Sequence, residues 1–440
     1  MHSCQARGLL LGAVLAWLML AAADARPQQT TQQAGSPALR LEALEQLALK
    51  NNPTLAQAEA AIRAAEGRRK QAGLWPNPIA GYEGEGFAVD PRVRAYRSAH
   101  GFFVEQTILT GGKLAKDKAI AAQDKTQAEV SAAAQQMRVV NAVRLLFYET
   151  LGAQQLVELR KQLAEVTREA AGISEELYNV GQADRPDVLA AEVELQRAEI
   201  EQLRAENGLT RLWQTLAAVV NEPAMQAQFK PARLEGSLET EAPQFKLDEL
   251  LATLLRDSPE IKVAQTGVAR AQAVIARAKA EPVPDVFVRA GANANNEYSE
   301  IAGRRVGWEA RVEAGVRLPV FNRNQGNIAA AQADLLNAER EVQRVEVELR
   351  ARLAESYNAY LNALGMAARY QRDILPRAQR SYELYLAKFR QMAAAYPQVL
   401  ISQRTLFEAR TESIAAQVEL WQSVAQLRGL LLMGGMNAVP

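Results

Sequence analysis

The chain has 440 residues and a balanced charge, with 51 lysines and arginines against 50 aspartates and glutamates. This length allows one or two sizeable cores, and the even charge balance excludes a strongly basic nucleic-acid binder. The sequence has one cysteine and two histidines, so the usual ligands of soft and borderline metal ions are scarce.

The N-terminus has the three parts of a secretory signal peptide. Arg7 precedes a short apolar run at 9–23, and Ala-Asp-Ala at 23–25 fits a small-residue cleavage site. We therefore predict a signal peptide at 1–25 and a polar linker at 26–38. Cleavage would remove Cys4 and His2 and leave His100 as the single histidine.

The rest of the chain contains an internal duplication. The motif NNP at 51–53 recurs as DSP at 257–259, and PNP at 76–78 recurs as PVP at 282–284, both 206 residues later. Matching landmarks at a constant offset indicate two copies of one unit. The predicted organisation is a first repeat at 39–230, a linker at 231–246, a second repeat at 247–433 and a C-terminal tail at 434–440.

Each repeat is predicted to follow the same plan. A helix at 39–73, and its counterpart at 247–280, stops near the Pro-x-Pro motif, because proline cannot continue a helix. A pair of strands follows, then a very long helix, a short turn and a second long helix.

The strand pattern is clearest in the second repeat. From 306 to 320, apolar residues alternate with charged residues and glycines, which places the apolar side chains on one face. About 9–11 such residues suffice for a transmembrane strand, although a half-buried sheet in a soluble protein alternates in the same way. The residues predicted to face lipid are Val306, Trp308, Ala310, Val312, Val316 and Leu318.

The long helices carry coiled-coil seams. A helix over 114–178 would be roughly 95 Å long, so it has to extend away from the short strands as a wall of a tube. The predicted seam positions are Ala331, Leu335, Ala338, Val342, Val345 and Leu349 in the second repeat, and Val130, Ala133, Met137, Val140, Phe147 and Leu151 in the first.

Four strands per chain cannot close a barrel, and an open strand edge is not tolerated in lipid. Three copies would supply twelve strands, within the range of outer-membrane barrels. The predicted fold is therefore mainly α-helical, with long coiled-coil hairpins forming an α-barrel and four transmembrane strands per chain closing as a β-barrel in a trimer.

Several motifs together carry a family resemblance. They are NNP at 51–53, WPNP at 75–78, EQTI at 105–108 leading to GGK at 111–113, YNVGQ at 178–182 and LPVFNRNQG at 318–326. In their order and duplication they resemble the TolC family of outer-membrane channels, and particularly its CzcC-type heavy-metal efflux branch. The resemblance covers essentially the whole mature chain.

The resemblance implies a homotrimer in the outer membrane of a Gram-negative bacterium, with its helical part in the periplasm. It implies a passive duct for heavy-metal cations, linked by a periplasmic membrane-fusion adaptor to an inner-membrane pump of the resistance-nodulation-division (RND) type. Multidrug efflux and type I secretion channels of the same fold are alternatives. A soluble periplasmic coiled-coil scaffold is an alternative from another class.

In the family, the hairpin ends far from the barrel contact the adaptor and constrict the tunnel. Gly181 permits positive φ at a helix end, whereas the second hairpin end lacks a glycine, and Gln398 stands where relatives can carry an acidic ring. For Asp184 and Asp187, at the start of the second helix of the first hairpin, helix capping is the alternative role. The adaptor-contact and tunnel residues implied are Val180, Gly181, Gln182, Asp184, Asp187, Arg390 and Gln398.

The sequence shows no catalytic constellation. The GGK motif at 111–113 lacks P-loop spacing, and the one candidate base, His100, falls in a predicted strand. We expect a protein that is not an enzyme and that has no catalytic, cofactor-binding or metal-binding residues.

Overall fold

The computed structural model describes residues 39–86, 98–391 and 396–435. The predicted signal peptide at 1–25 and the polar linker at 26–38 lie outside these residues, as does the end of the tail at 436–440. No helix in the described ranges is both long and apolar enough to cross a membrane.

The same order of elements occurs in both halves of the chain. The first half contains α1 (Leu41–Asn51), α2 (Pro53–Ala72), β1 (Ile79–Glu85), β2 (Ala99–Ile108), α3 (Lys113–Asn179), α4 (Arg185–Val220) and the short α5 (Pro223–Gln226). The second half contains α6 (Leu247–Asp257), α7 (Pro259–Ala280), β3 (Val286–Ser299), β4 (Arg304–Val316), α8 (Gln325–Arg369), a π-helical segment (Tyr370–Ile374), α9 (Leu375–Arg390) and α10 (Tyr396–Arg428).

The first helix of each half is divided in two, so the prediction of one continuous helix was wrong. Asn52 and Ser258 are both non-helical, with ψ 124°, and each precedes the proline that begins the next helix. Proline disfavours helical geometry in the residue before it but suits a first helical turn. The Asn52 side chain accepts a hydrogen bond from the Thr54 N–H and caps α2.

The four strands form one antiparallel sheet in the order β1-β2-β3-β4. The register is regular from Val286 to Asn295 of β3, and a shift between Asn295 and Tyr298 interrupts its pairing with β4. The sheet therefore joins both halves through the β2–β3 ladder, and the outer edges of β1 and β4 have no neighbouring strand within the described chain.

The long helices extend from one end of this sheet. Helix α3 is unbroken over 67 residues, which corresponds to about 100 Å, as predicted. Its counterpart in the second half is interrupted by the π-helical segment, which the sequence analysis did not predict. Pro376 follows this segment, and proline lacks the N–H of a regular helical turn and clashes with the carbonyl four residues earlier.

The predicted seam is confirmed in α8, where all six positions are buried or partly buried. In α3 the prediction was wrong at Ala133 and Met137, which are exposed, while Ala134 and Val139 are buried. The reason is that α3 packs against α1, α2, α4, α7 and α10, so its buried residues do not follow a single stripe.

The main core lies where the paired short helices meet the long helices. It includes the fully buried Trp213, Leu216 and Leu349. The segment predicted as a linker, 231–246, contributes to this core through Leu234 and Leu238, and the Trp421 indole N–H donates to the Leu238 carbonyl oxygen at 3.0 Å. The segment therefore packs into the core shared by the two halves.

Candidate functional site

The sheet has one polar and one apolar face. Even-numbered residues from 80 to 84, from 100 to 108, from 286 to 294 and from 308 to 316 share the apolar face, and their odd-numbered neighbours within the strands share the polar face. This follows from the strand period of two.

The apolar face is uncovered in the single chain. Trp308 and Val312 are 72% and 76% exposed, and the rings of Tyr82 and Phe102 meet edge to face on the same side at 5.7 Å. The described part of the chain thus presents a broad apolar sheet surface of the kind that marks an interaction site.

The structure brings most of the predicted lipid-facing residues together on this face. Ala310 and Val316 lie on it beside Trp308 and Val312. The prediction was wrong for Leu318, which follows the end of β4 and precedes Pro319, where the missing N–H prevents continuation of a ladder. Val306 lies in β4 beside the register shift, outside the regular pairing.

The polar face is organised around Glu83. Its carboxylate accepts from Arg289 and from Arg311, each at 2.7 Å, and the Arg289 guanidinium lies 3.7 Å from the centre of the Phe103 ring. Because Glu83 is in β1 and Arg311 in β4, the two edge strands of the sheet, a direct contact requires a strongly curved sheet. The polar face is therefore concave.

A second ionic site joins the sheet to α3. Asp285 lies immediately before β3. The Lys113 side chain is 3% exposed, and its Nζ lies 2.8 Å from Asp285 Oδ2. The Thr110 N–H donates to the other carboxylate oxygen at 2.9 Å. Burial raises the pKa of Asp285, but the hydrogen bonds from Lys113 and Thr110 outweigh it, so this pKa is below its ordinary value.

The first hairpin end is a Schellman turn. Gly181 has φ 76°, the Gln182 N–H donates to the Leu177 carbonyl at 2.8 Å, and the Gly181 N–H donates to the Tyr178 carbonyl at 3.0 Å. These two bonds define the motif and require a left-handed residue at its centre. Val180, beside the glycine, is 69% exposed.

The predicted tip residues Val180, Gly181, Gln182, Asp184 and Asp187 are brought together and are all exposed. Asp184 is the N-cap residue of α4, but its side chain makes no capping hydrogen bond. Asp187 lies in the first turn of α4, where a negative charge is favourable.

The second hairpin end is described only in part. Residues 392–395 and the Arg390 side chain lie outside the described structure, and Gln398 is exposed in the first turn of α10. An ion pair connects the two hairpins at a distance from their ends: Arg404 of α10 lies 2.9 Å from Glu194 of α4. In the described ranges, no group of three or more His, Cys, Asp or Glu residues could hold a metal ion.

Comparison with known proteins identifies the family. The model of the outer membrane efflux protein family matches residues 44–222 and 250–431. The chain belongs to this family. The resemblance to TolC-type channels predicted from the motifs is thereby confirmed, and the chain is an outer-membrane efflux channel protein.

Individual relatives agree with this assignment. The chain is 26% identical over 400 residues to the cobalt-zinc-cadmium resistance protein CzcC of Cupriavidus metallidurans, covering 91% of each. Its fold is similar to that of the outer-membrane channel OprN (TM-score 0.73, 18% identity, 90% of this chain and 91% of that one). It is also similar to CusC (TM-score 0.71, 17% identity, 90% and 92%). The family is one of outer membrane efflux proteins, which supports a non-enzymatic role in a general sense.

The ionic sites of the sheet were not among the residues predicted from the sequence. Glu83 and Arg289 are 206 residues apart, the offset of the duplication, so they occupy equivalent positions in the two repeats. Opposite charges at equivalent positions of a duplicated strand would have been a usable signal. Lys113 and Asp285 occupy non-equivalent positions, and only the fold brings them together.

Proposed function

We propose that three copies of this chain form one continuous passive duct, with twelve strands closed as a β-barrel in the outer membrane and the helices forming a periplasmic tunnel. The apolar sheet face with its exposed Trp308 and Val312 carries this proposal. A sheet with one apolar and one charged face is suited to lipid on the outside and water inside. Two unpaired strand edges per chain can be satisfied by neighbouring copies.

We infer that the cargo is heavy-metal cations. The support is the similarity along 91% of the chain to a protein named for cobalt, zinc and cadmium resistance. The metal would be cargo moving through water, and an inner-membrane RND pump, reached through a periplasmic adaptor, would select it and supply the energy.

The exposed end of the first hairpin is the proposed adaptor contact. Val180 and Gln182 flank a glycine that fixes the turn, and a turn of fixed geometry loses little conformational entropy when it binds a partner. Arg390 and Gln398 at the second hairpin end are proposed to join the same surface.

Deletion of the gene tests the cargo. We expect lower tolerance to Zn, Cd and Co and unchanged tolerance to dyes and antibiotics, with recovery on complementation. Sensitivity to dyes alone would instead indicate a multidrug channel. Fractionation of the wild-type strain tests the location, because recovery in the soluble fraction without detergent would indicate a periplasmic scaffold.

A further inference from the structure

Helix α4 carries two hydrophobic stripes on different sides. The buried side, with Val188, Ala191 and Ala198, faces its own chain. The other side, which we name the outer stripe, is exposed in the single chain. The outer stripe consists of Leu189, Val193, Ile200 and Leu203, which are 48%, 52%, 50% and 57% exposed.

The outer stripe has the heptad pattern of a coiled coil. Val193 and Ile200 occupy a positions, and Leu189 and Leu203 occupy d positions. The e and g positions, which flank the stripe, carry charged residues in a regular pattern. In coiled coils, charges at these positions set partner choice and orientation. The g positions are Glu192, Glu199 and Glu206, and the e positions are Arg197, Arg204 and Arg211.

We propose that the outer stripe packs against α9 of the next copy of this chain in the duct. The inference rests on the proposed trimer. A closed ring of identical chains needs two different surfaces on each chain, and α9 provides a fitting second surface. Its exposed side combines Leu384, 48% exposed, with the cations Arg377 and Arg380.

The direction of the two helices follows from the fold. Helix α4 begins at the first hairpin end, whereas α9 runs towards the second. Copies related by a rotation axis keep the same direction along that axis. The packing of α4 on α9 of the next copy is therefore antiparallel, and in this orientation glutamates at g positions require cations on the facing helix.

Two contacts within the chain give the relative heights. Glu194 of α4 meets Arg404 of α10 at 2.9 Å, and Gln379 of α9 meets Arg410 of α10 at 2.9 Å. Because α9 and α10 are antiparallel, Arg404, six residues before Arg410, is level with Tyr385, six residues after Gln379.

Rotation about the duct axis preserves these heights, so Glu194 is also level with Tyr385 of the next copy. Counting from there, Glu199 is level with Arg380, and Leu384 is level with residue 195, between Val193 and Gln196. The proposed packing therefore places an acidic residue of α4 at the height of a cation of α9, and the apolar stripe at the height of the exposed Leu384.

Cysteine cross-linking tests this arrangement directly, because Cys4, within the predicted signal peptide, is the only cysteine of the sequence. We expect the double variant Gln196→Cys with Leu384→Cys to form disulfide-linked dimers and trimers in isolated outer membranes. The matched control joins Gln196→Cys with Leu361→Cys, which is 44% exposed on α8 but 23 residues further from the hairpin end; it should stay monomeric on denaturing gels.

Charge reversal tests the pairing itself. Glu199→Arg or Arg380→Glu should each reduce the cross-linked trimer by about fivefold, and the double reversal should recover it. Glu199 also pairs with Arg168 of its own chain at 2.8 Å, so Arg168→Ala is the control and should leave cross-linking unchanged.

The outcomes separate this inference from the proposed function. A trimer by native mass analysis, with normal metal tolerance but no specific cross-link, would overturn the α4–α9 contact and leave the duct intact. A cross-link from position 196 to an adaptor subunit would also overturn it. A monomer in detergent extracts together with unchanged metal tolerance on deletion would overturn both.

Discussion

At the scale of single residues, the ion pair of Lys113 with Asp285 is one connection between the sheet and the helices. Lys113 begins α3 and is almost fully buried, while Asp285 precedes β3. A buried ammonium group is tolerated only with a partner, and removing one partner costs more than the pair itself contributes. The pair therefore holds the first-half helix onto the second-half strand.

Asp285→Asn should destabilise the folded chain by about 3 kcal/mol, because it leaves the Lys113 charge buried without its counter-charge. The lower melting temperature can be measured in detergent. The double variant Lys113→Met with Asp285→Asn removes both charges and should recover part of the loss. A double variant less stable than Asp285→Asn would contradict this explanation.

The same pair predicts a pH dependence. The folded-state pKa of Asp285 is below its ordinary value of 3.8, so the stabilisation is present above the unfolded-state pKa and is lost as the pH falls through the folded-state pKa. Between pH 6 and about pH 3, the melting temperature should fall less for Asp285→Asn than for the wild type. Equal slopes would exclude this role.

The turn at Gly181 offers a second test at this scale. Gly181→Ala should destabilise the hairpin end by about 1 kcal/mol, because φ is positive and no atom lies near the added Cβ. Amide exchange at 176–184 should become faster. Gly172 is the matched control: it has equal space around it but helical geometry, so Gly172→Ala should slow exchange.

At the scale of elements, the π-helical segment distinguishes the second hairpin from the first. A π-helical turn inside an α-helix accommodates additional chain in one turn. Beyond it, Ala378 of α9 packs against Leu406 and Ala409 of α10. The segment therefore sets the face that α9 presents to α10.

Deletion of the exposed Gln371 should convert the π-helical segment into a regular turn and keep α9 in place. The deletion variant should fold and assemble like the wild type. Deletion of Gln343, in the regular part of α8, is the control, because it rotates the following residues by about 100° and exposes the seam. For both deletion variants, the measurement is the amount of protein in isolated outer membranes that resists limited proteolysis. Equal loss in the two variants would contradict the interpretation.

At the scale of the whole molecule, the proposed barrel assigns the apolar sheet face to lipid and the polar face to water. In water, replacing the exposed Val312 by arginine would cost little. Facing lipid, Val312→Arg should cost about 2–4 kcal/mol near the bilayer midplane and lower the fraction of protein folded in the outer membrane. Glu313→Arg, one residue further on the polar face, should leave that fraction nearly unchanged. Equal behaviour of both variants would argue against lipid contact at this face.

The sequence by itself determined the features that depend on neighbouring residues. The duplication, the stop of each first helix near its prolines, the alternation of β4 and the length of α3 follow from local backbone preferences and short periods. The α8 seam was predicted correctly for the same reason, because its apolar positions form one continuous stripe.

Only the tertiary structure decided which segments meet. The buried side of α3 depends on the five helices around it, which explains why Ala133 and Met137 were wrongly placed. The contacts of Glu83 with Arg289 and Arg311, and of Lys113 with Asp285, join residues 172 to 228 positions apart. The offset of the duplication aligns Glu83 with Arg289, but it does not show that their strands share one sheet. For Arg311, and for Lys113 with Asp285, no repeat or local pattern indicates the contact, because it depends on how the two halves pack.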